Sequence, residues 1–355
     1  MQLDHISLLQ CPYCHTALKV DFLLPDRPGY ATVHCDCDTY PVIEGIVYLR
    51  KNAPQLGQKA VELLRAGKSN EALRILFSEE RKLTRFLYTV LLGFPLSLRG
   101  FIRSWKLVVP GSKAWQNYLL HREKRVSFIL SAATLSFIQD SGVVTDIGCG
   151  TGHFLNKAAQ IHPSSQLIGI DGSFPLLYLA KRFFLKKNLD RCLLVCADID
   201  SGIPLKDETS TSVFCNDAFM YFHRKKHVAQ EMLRVMCTKG RLFITHLHHR
   251  QAQNLGQGYG MSVQDVRALL PELCGYIASD RSLFHTLLDK HALTYIPLSA
   301  ELKEEDFYNS FSVIWMKEKK TTVKTQLPDE EYSLIMPQQV DYTEDEYIQH
   351  GLSTQ

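Results

Sequence analysis

Apolar and polar positions change their spacing along the chain. Up to about residue 50, short apolar runs are broken by turn formers and end in the strand-like stretch Tyr40-Pro-Val-Ile-Glu-Gly-Ile-Val-Tyr-Leu49. From Pro54 to about Ile138 the spacing becomes helical, carried by Val61, Leu64, Leu73, Ile75, Leu76, Leu83, Phe86, Leu87 and Leu91 and broken at Gly67-Lys-Ser and Gly93-Phe-Pro. From Val143 to Lys317, β-rich runs alternate with helical ones: Val143 to Ile147, Gln166 to Ile170, Cys192 to Cys196, Ser212 to Cys215, Arg241 to His246 and Phe311 to Met316. That alternation predicts a doubly wound α/β domain with a mostly parallel sheet covered on both faces. The predicted organisation is a small β module over 1–50, a helical linker or lid over 51–111, the α/β domain over 112–320 and an extension over 321–355.

Composition narrows this only slightly. The net charge of +3 is too small for this length to argue for a nucleic-acid partner, and the 45% hydrophobic content suits a full core. The uncharged run Phe86 to Leu98 contains Gly93 and Pro95 and is shorter than a bilayer span, which predicts a buried helix, with a lipid-facing or tunnel role as the alternative. The stretch Val61 to Arg74 resembles the turn of a tetratricopeptide hairpin, without the second copy that a solenoid needs. No transmembrane segment is expected, and the start, MQLDHISLLQCPYC, lacks the basic and apolar segments of a signal peptide. With six cysteines scattered through regular elements, it points to a reducing cytoplasm. After Lys324 the chain carries Asp329, Glu330, Glu331, Asp341, Glu344, Asp345 and Glu346 with no Lys or Arg, which predicts a solvated or loosely docked extension.

The most informative run is Val143-Val-Thr-Asp-Ile-Gly-Cys-Gly-Thr-Gly-His-Phe-Leu155, a strand entering three alternate glycines and then a helix. Backbone without Cβ atoms lets a ligand approach, and the helix start offers unpaired N–H groups. Asp171 ends the next predicted strand, where a carboxylate can accept from a ribose diol, with Gly172 and Ser173 beside it. Asp198 follows the third strand, placed for the exocyclic amine of adenine, with Ile199 beside the ring. A dinucleotide fingerprint needs a small residue at the position of His153, so the spacing disfavours a nicotinamide cofactor.

The alternate glycines Gly148, Gly150 and Gly152, with Asp146 two residues ahead, resemble motif I of the class I S-adenosylmethionine-dependent methyltransferases. His227 to Ile244 is similar to the family's Glu-x-x-Arg-Val-Leu-x-Pro-Gly-Gly stretch, with Thr238 and Lys239 in place of Pro and the first Gly, a departure expected to alter a turn. The resemblance covers roughly Trp115 to Lys317. It implies a Rossmann-like seven-stranded sheet and S-adenosylmethionine as cofactor. Asp146 would hold the methionyl amino group, and Asn216, at the end of the fourth-strand run, would join the binding residues.

Cys11-Pro-Tyr-Cys14 is a knuckle suited to one tetrahedral Zn²⁺, and Cys35-Asp-Cys37 supplies two more thiols. The segment resembles the small zinc ribbon, of the tRNA-methyltransferase-activator kind, in front of several methyltransferases, but its second pair is one residue short. Either both Cys35 and Cys37 ligate or His34 replaces one; a metal-free ribbon held by Tyr40, Pro41 and Ile46 is the alternative. A catalytic thiol pair is not expected, because no helix flanks it to lower a pKa.

Methyl transfer is an in-line displacement, so the protein must align the acceptor and, for a hydroxyl or amine, supply a base. Thr245-His-Leu-His-His-Arg250 follows the fifth strand, and His246 and His248 are the candidate catalytic pair, with His223 as the weaker choice. No carboxylate at useful spacing supports a second metal site there. The expected activity is methyl transfer to a small-molecule or biosynthetic-intermediate acceptor. The alternative is an rRNA guanine-N1-type methyltransferase gripping phosphates through Arg99, Arg103, Lys106, Lys113, Arg122, Lys124 and Arg125; a non-catalytic adaptor is a third class.

Overall fold

The computed structural model describes residues 3–51, 55–78, 96–108, 113–252 and 258–340. Most of the apolar run from Phe86, and the acidic residues from Asp341 onward, lie outside these. The strands are β1 (Lys19–Leu23), β2 (Ala31–His34), β3 (Thr39–Ile43), β4 (Ile46–Tyr48), β5 (Val143–Ile147), β6 (Gln166–Asp171), β7 (Cys192–Cys196), β8 (Ser210–Asn216), β9 (Met236–His248), β10 (Cys274–Ser279), β11 (Ala292–Pro297), β12 (Ser310–Met316) and β13 (Val323–Gln326). The fold is α/β, a Rossmann-like sheet with a parallel centre, and it divides into two compact units.

The first unit comprises Met1–Arg122, Gly150–His153 and Gly169–Lys206, with strand order β1-β2-β3-β4-β7-β6. The long strand expected over Tyr40 to Leu49 is a hairpin, because Glu44 and Gly45 both take left-handed φ (55° and 73°), the twist a two-residue β-turn needs. Its second strand, β4, pairs in parallel with β7, Ile46 opposite Leu194 and Tyr48 opposite Cys196, so the ribbon runs on into the main sheet. The predicted helical hairpin forms as Leu56–Arg65 and Ser69–Ile75, turned at Gly67 (φ +73°), and packs on β3. Its aromatic neighbours Phe77, Phe174 and Tyr178 meet edge to face at 5.4 to 5.6 Å.

The second unit comprises Glu123–Cys149, Phe154–Ile168 and Asp207–Gln355, with order β5-β8-β9-β12-β10-β11-β13. Strands β5, β8 and β9 are parallel, while β12, β10, β11 and β13 continue antiparallel. Phe214 of β8 stacks on Phe243 of β9 at 4.4 Å, in the centre of the core. The altered turn expected around Thr238 and Lys239 is an irregularity inside β9: helix Lys225–Val235 leads directly into this strand of thirteen residues, and from Met236 to Arg241 it advances five residues while β8 advances two, from Ser210 to Ser212. Nor is the extension loose up to residue 340. There β13 pairs with β11, Leu327 and Ile335 are buried, and Lys157 Nζ donates to Leu334 O at 2.7 Å. Among the described residues no helix is long and apolar enough to cross a membrane.

Candidate functional site

Strand β5 delivers Asp146 and Ile147 into Gly148-Cys-Gly-Thr-Gly152, and helix His153–Ile161 follows. All three glycines take left-handed φ, at +75°, +52° and +74°. A Cβ on Gly148 would lie 2.6 Å from that of Ala218, and one on Gly152 would lie 3.0 Å from that of Ala180, so packing demands these two besides the turn. In the second unit Asp146 is buried; its Oδ1 accepts from Asn216 Nδ2 (3.1 Å), and Asn216 Oδ1 accepts from Thr245 (2.9 Å). The Thr245 and Ser131 hydroxyls lie 2.6 Å apart, completing a buried polar chain.

In the first unit Asp171 accepts the Gly150 N–H on Oδ2 (2.9 Å) and the Ser173 N–H on Oδ1 (2.8 Å). Burial pushes its carboxyl up against the pull of these amides. Each oxygen keeps a second lone pair for a ligand hydroxyl. Ser173 N-caps helix Phe174–Leu179, Gly172 has only ordinary contacts, and Asp198 is exposed and accepts from Asp200 N–H and the Ser201 hydroxyl. Ile199 is 4% exposed, so little of its side chain is offered to a ring.

The four ribbon thiols converge. Sγ atoms of Cys11, Cys14, Cys35 and Cys37 all lie within 4.8 Å of one another, with Cys11–Cys37 at 3.6 Å and Cys35–Cys37 at 3.4 Å. Tetrahedral Zn²⁺ with bonds of about 2.3 Å separates its sulfurs by about 3.8 Å, so the set fits the ion. The Tyr13 N–H points at Cys11 Sγ (3.4 Å) and Lys51 Nζ donates to Cys37 Sγ (3.1 Å), both relieving negative charge on sulfur. Cys35 and Cys37 both belong to the cluster and His34 does not. Thiolate character arises here without a helix: burial opposes ionisation of Cys14, but the hydroxyl and amide of Thr16 bring it down to about 6.

At the carboxyl ends of β8 and β9, Asp217, His246 and His248 bring one ligating atom each within 4.8 Å of the others. The His246 and His248 rings meet edge to face at 4.9 Å. His246 Nδ1 lies 2.7 Å from Asp280 Oδ2, and Ser312 Oγ donates to Asp280 Oδ1 (2.7 Å) while accepting the His246 N–H (3.1 Å). Asp280 is 1% exposed and stands in the first turn of helix Asp280–Lys290, where the helix dipole supports a negative charge. Burial pushes the His248 imidazole down, with His246 adding to the effect. His249 turns elsewhere, to Glu304 (3.0 Å). Met261 N donates to His248 O (3.0 Å), and Met261 with Phe222, His223, Lys225, Arg250, Tyr259, Gly260 and Asp265 lines a cavity of about 410 Å³.

A methyltransferase-domain family model matches residues 138–319, just over half of the chain. The chain belongs to this family. It carries an S-adenosylmethionine-dependent methyltransferase domain. The domain is similar to a malonyl-[acyl-carrier protein] O-methyltransferase of Legionella pneumophila, 32% identical over 105 residues, covering 29% of this chain and 36% of the relative. It is also similar to a probable tRNA methyltransferase 9B of Mus musculus, 29% identical over 114 residues, 30% of this chain and 23% of that one. A solved methyltransferase of Aquifex aeolicus superposes with a TM-score of 0.40 at 16% identity, over 56% of this chain and 93% of that one. The chain spans between a third and a half of the length of the first curated relatives it matches.

Two carboxylates of the methyltransferase escaped sequence reasoning. Asp217 directly follows Asn216 and in sequence stands far from His246; pairing of β8 with β9 sets Asn216 opposite Thr245 and so brings it in. Asp280 had no signal beyond Ser279-Asp280 opening a helix. Of the basic residues, Arg122 is buried over the Tyr118 ring, while Arg99 and Arg103 are exposed; the side chains of Lys106 and Lys113 are outside the description.

Proposed function

We propose that the chain transfers a methyl group from S-adenosylmethionine to a small-molecule acceptor, with the acceptor held at the ends of β8 and β9. The observation that carries this reading is His246, fixed through Nδ1 by the buried Asp280; two residues on, His248 O accepts from the N–H of Met261, one of the residues that line a cavity of about 410 Å³, within the size range of small-molecule sites. Bound S-adenosylmethionine supplies a methyl group already activated on a sulfonium. Asp171 and Asp198 are assigned to its ribose and adenine, with the Gly148 to Gly152 loop, Gly172 and Ser173 in support. Asp146, with Asn216, is assigned to its amino group. His246 and His248 handle the acceptor: Asp280 sets the His246 tautomer so that Nε2 serves the substrate. The ribbon cysteines hold one structural Zn²⁺ in this reading.

The test is calorimetry with S-adenosylmethionine, followed by transfer of a labelled methyl group into fractionated small-molecule and RNA pools. Asp171→Ala should weaken cofactor binding about ten- to a hundredfold. His246→Ala should slow transfer with cofactor affinity nearly unchanged. Incorporation confined to RNA, with binding that falls steeply as salt rises, would overturn the small-molecule acceptor in favour of RNA.

A further inference from the structure

We infer that Asp217, His246 and His248 form a site for a divalent transition-metal ion whose open positions receive an oxygen donor of the methyl acceptor. This rests on the acceptor side of the reading above, with His246 Nε2 acting on the acceptor through the ion and not as a free base, and specifies the acceptor as a molecule with a hydroxyl or carboxylate able to ligate. Two imidazoles and one carboxylate converging within 4.8 Å are a donor set that transition ions use when positions must stay open for substrate.

Backbone geometry supports a purpose for this convergence. Asp217 and His246 both have left-handed φ, at 53° and 55°, which is costly for a residue with a side chain and is concentrated at functional sites. Each is held there: Asp217 N–H by Thr245 O (3.1 Å) and His246 N–H by Ser312 Oγ (3.1 Å). The pairing of β9 with β12 shifts between Phe311 and Val313, so that Thr245 and His246 stand against Ser312 alone. That is a β-bulge, a device that re-aims a side chain at the end of a strand.

The surroundings of His246 are those of a ligand. Metal-bound histidines present one nitrogen to the ion and donate the other N–H to a carboxylate, which fixes the ring and raises its basicity. Asp280 Oδ2, 2.7 Å from Nδ1, is placed to accept that N–H, and Ser312 fixes Asp280 in turn. A general base alone would need His246 and Asp280; it would not need Asp217 and His248 turned onto the same point.

The experiment titrates the chain carrying one equivalent of zinc, all of it in the cysteine cluster, with Co²⁺, followed by visible absorption and calorimetry. One further equivalent should bind and give weak d–d bands without the intense sulfur-to-cobalt absorption that occupation of the cysteine cluster would add. Asp217→Asn and His248→Gln should each weaken that binding more than tenfold, Asp280→Asn by about ten- to a hundredfold, and Asp217→Glu should recover part of it. Thermal melts of each variant separate loss of a ligand from loss of the fold. No equivalent beyond the zinc, or binding undiminished in both Asp217→Asn and His248→Gln, would overturn the site. S-adenosylmethionine affinity is the independent readout: if it persists while Co²⁺ fails to bind, the metal site falls and the methyl-transfer reading stands; if it is absent, that reading fails whatever Co²⁺ does.

Discussion

His153 occupies the position where a dinucleotide fingerprint would place its last small residue, and its environment fixes its charge. The Thr151 hydroxyl lies 2.9 Å from Nδ1, Nε2 faces Leu119 O at 3.4 Å, and the Phe184 ring packs at 3.9 Å. Burial, with the Arg122 charge adding to it, pushes the imidazole from 6.5 down to about 3. A histidine kept neutral in the fold binds its proton more readily when unfolded. Its contribution is therefore complete above about pH 6.5 and is lost as pH falls toward 3, at up to about 1.4 kcal/mol per unit. Urea midpoints between pH 7 and 5 should fall less in His153→Gln than in the parent; equal slopes would mean that the ring protonates in place. Gly148→Ala, which needs both a left-handed φ and a Cβ 2.6 Å from Ala218, should cost about 1–3 kcal/mol in denaturant titrations. Gly150→Ala, whose nearest neighbour would be the Tyr118 hydroxyl at 3.4 Å, should cost less.

Strands buried on both faces announce themselves as continuous apolar runs, which is why β7, Cys192-Leu-Leu-Val-Cys196, falls at the predicted residues. Where the signal is mixed, it fails. Cys274-Gly-Tyr-Ile-Ala-Ser279 and Ala292-Leu-Thr-Tyr-Ile-Pro297 are short and interrupted, and β13 is hidden among charges, yet all three pair. The glycine loop was legible because its chemistry is contiguous; the cluster at the ends of β8 and β9 was only half legible, since Asp217, His246 and Asp280 meet through strand register and a bulge. The acidic extension illustrates the same limit, its few apolar residues outweighing its charges. Ending the chain at Lys320 should strip β13 from β11 and remove Leu327 and Ile335, each worth about 1.5–3 kcal/mol of burial. A fall of several degrees in melting temperature is expected, and an unchanged one would show that this segment only rests on the surface.

Across the first unit, the thiol cluster and the strand before Asp198 belong to one hydrogen-bonded system. β4 follows the cysteines by a few residues, pairs with β7, and Leu49 N donates to Cys196 O (2.7 Å). With zinc in the cluster as proposed above, its removal with a chelator, or by Cys14→Ser, should therefore speed amide exchange in Leu194 to Cys196 as well as around the cysteines; exchange confined to residues before Tyr40 would show the two to be uncoupled. The position of β4 has another effect. Every residue of β7, Cys192-Leu-Leu-Val-Cys196, is buried and none is charged, and without β4 its backbone would be an open edge inviting strands from other molecules. With the ribbon in place the outermost strand on that side is β1, which is largely exposed, carries Lys19 and Asp21, and is broken by a register shift between Val20 and Phe22. The cysteine module thus covers an adhesive border and leaves in its place a charged, irregular one that is a poorer template for other chains.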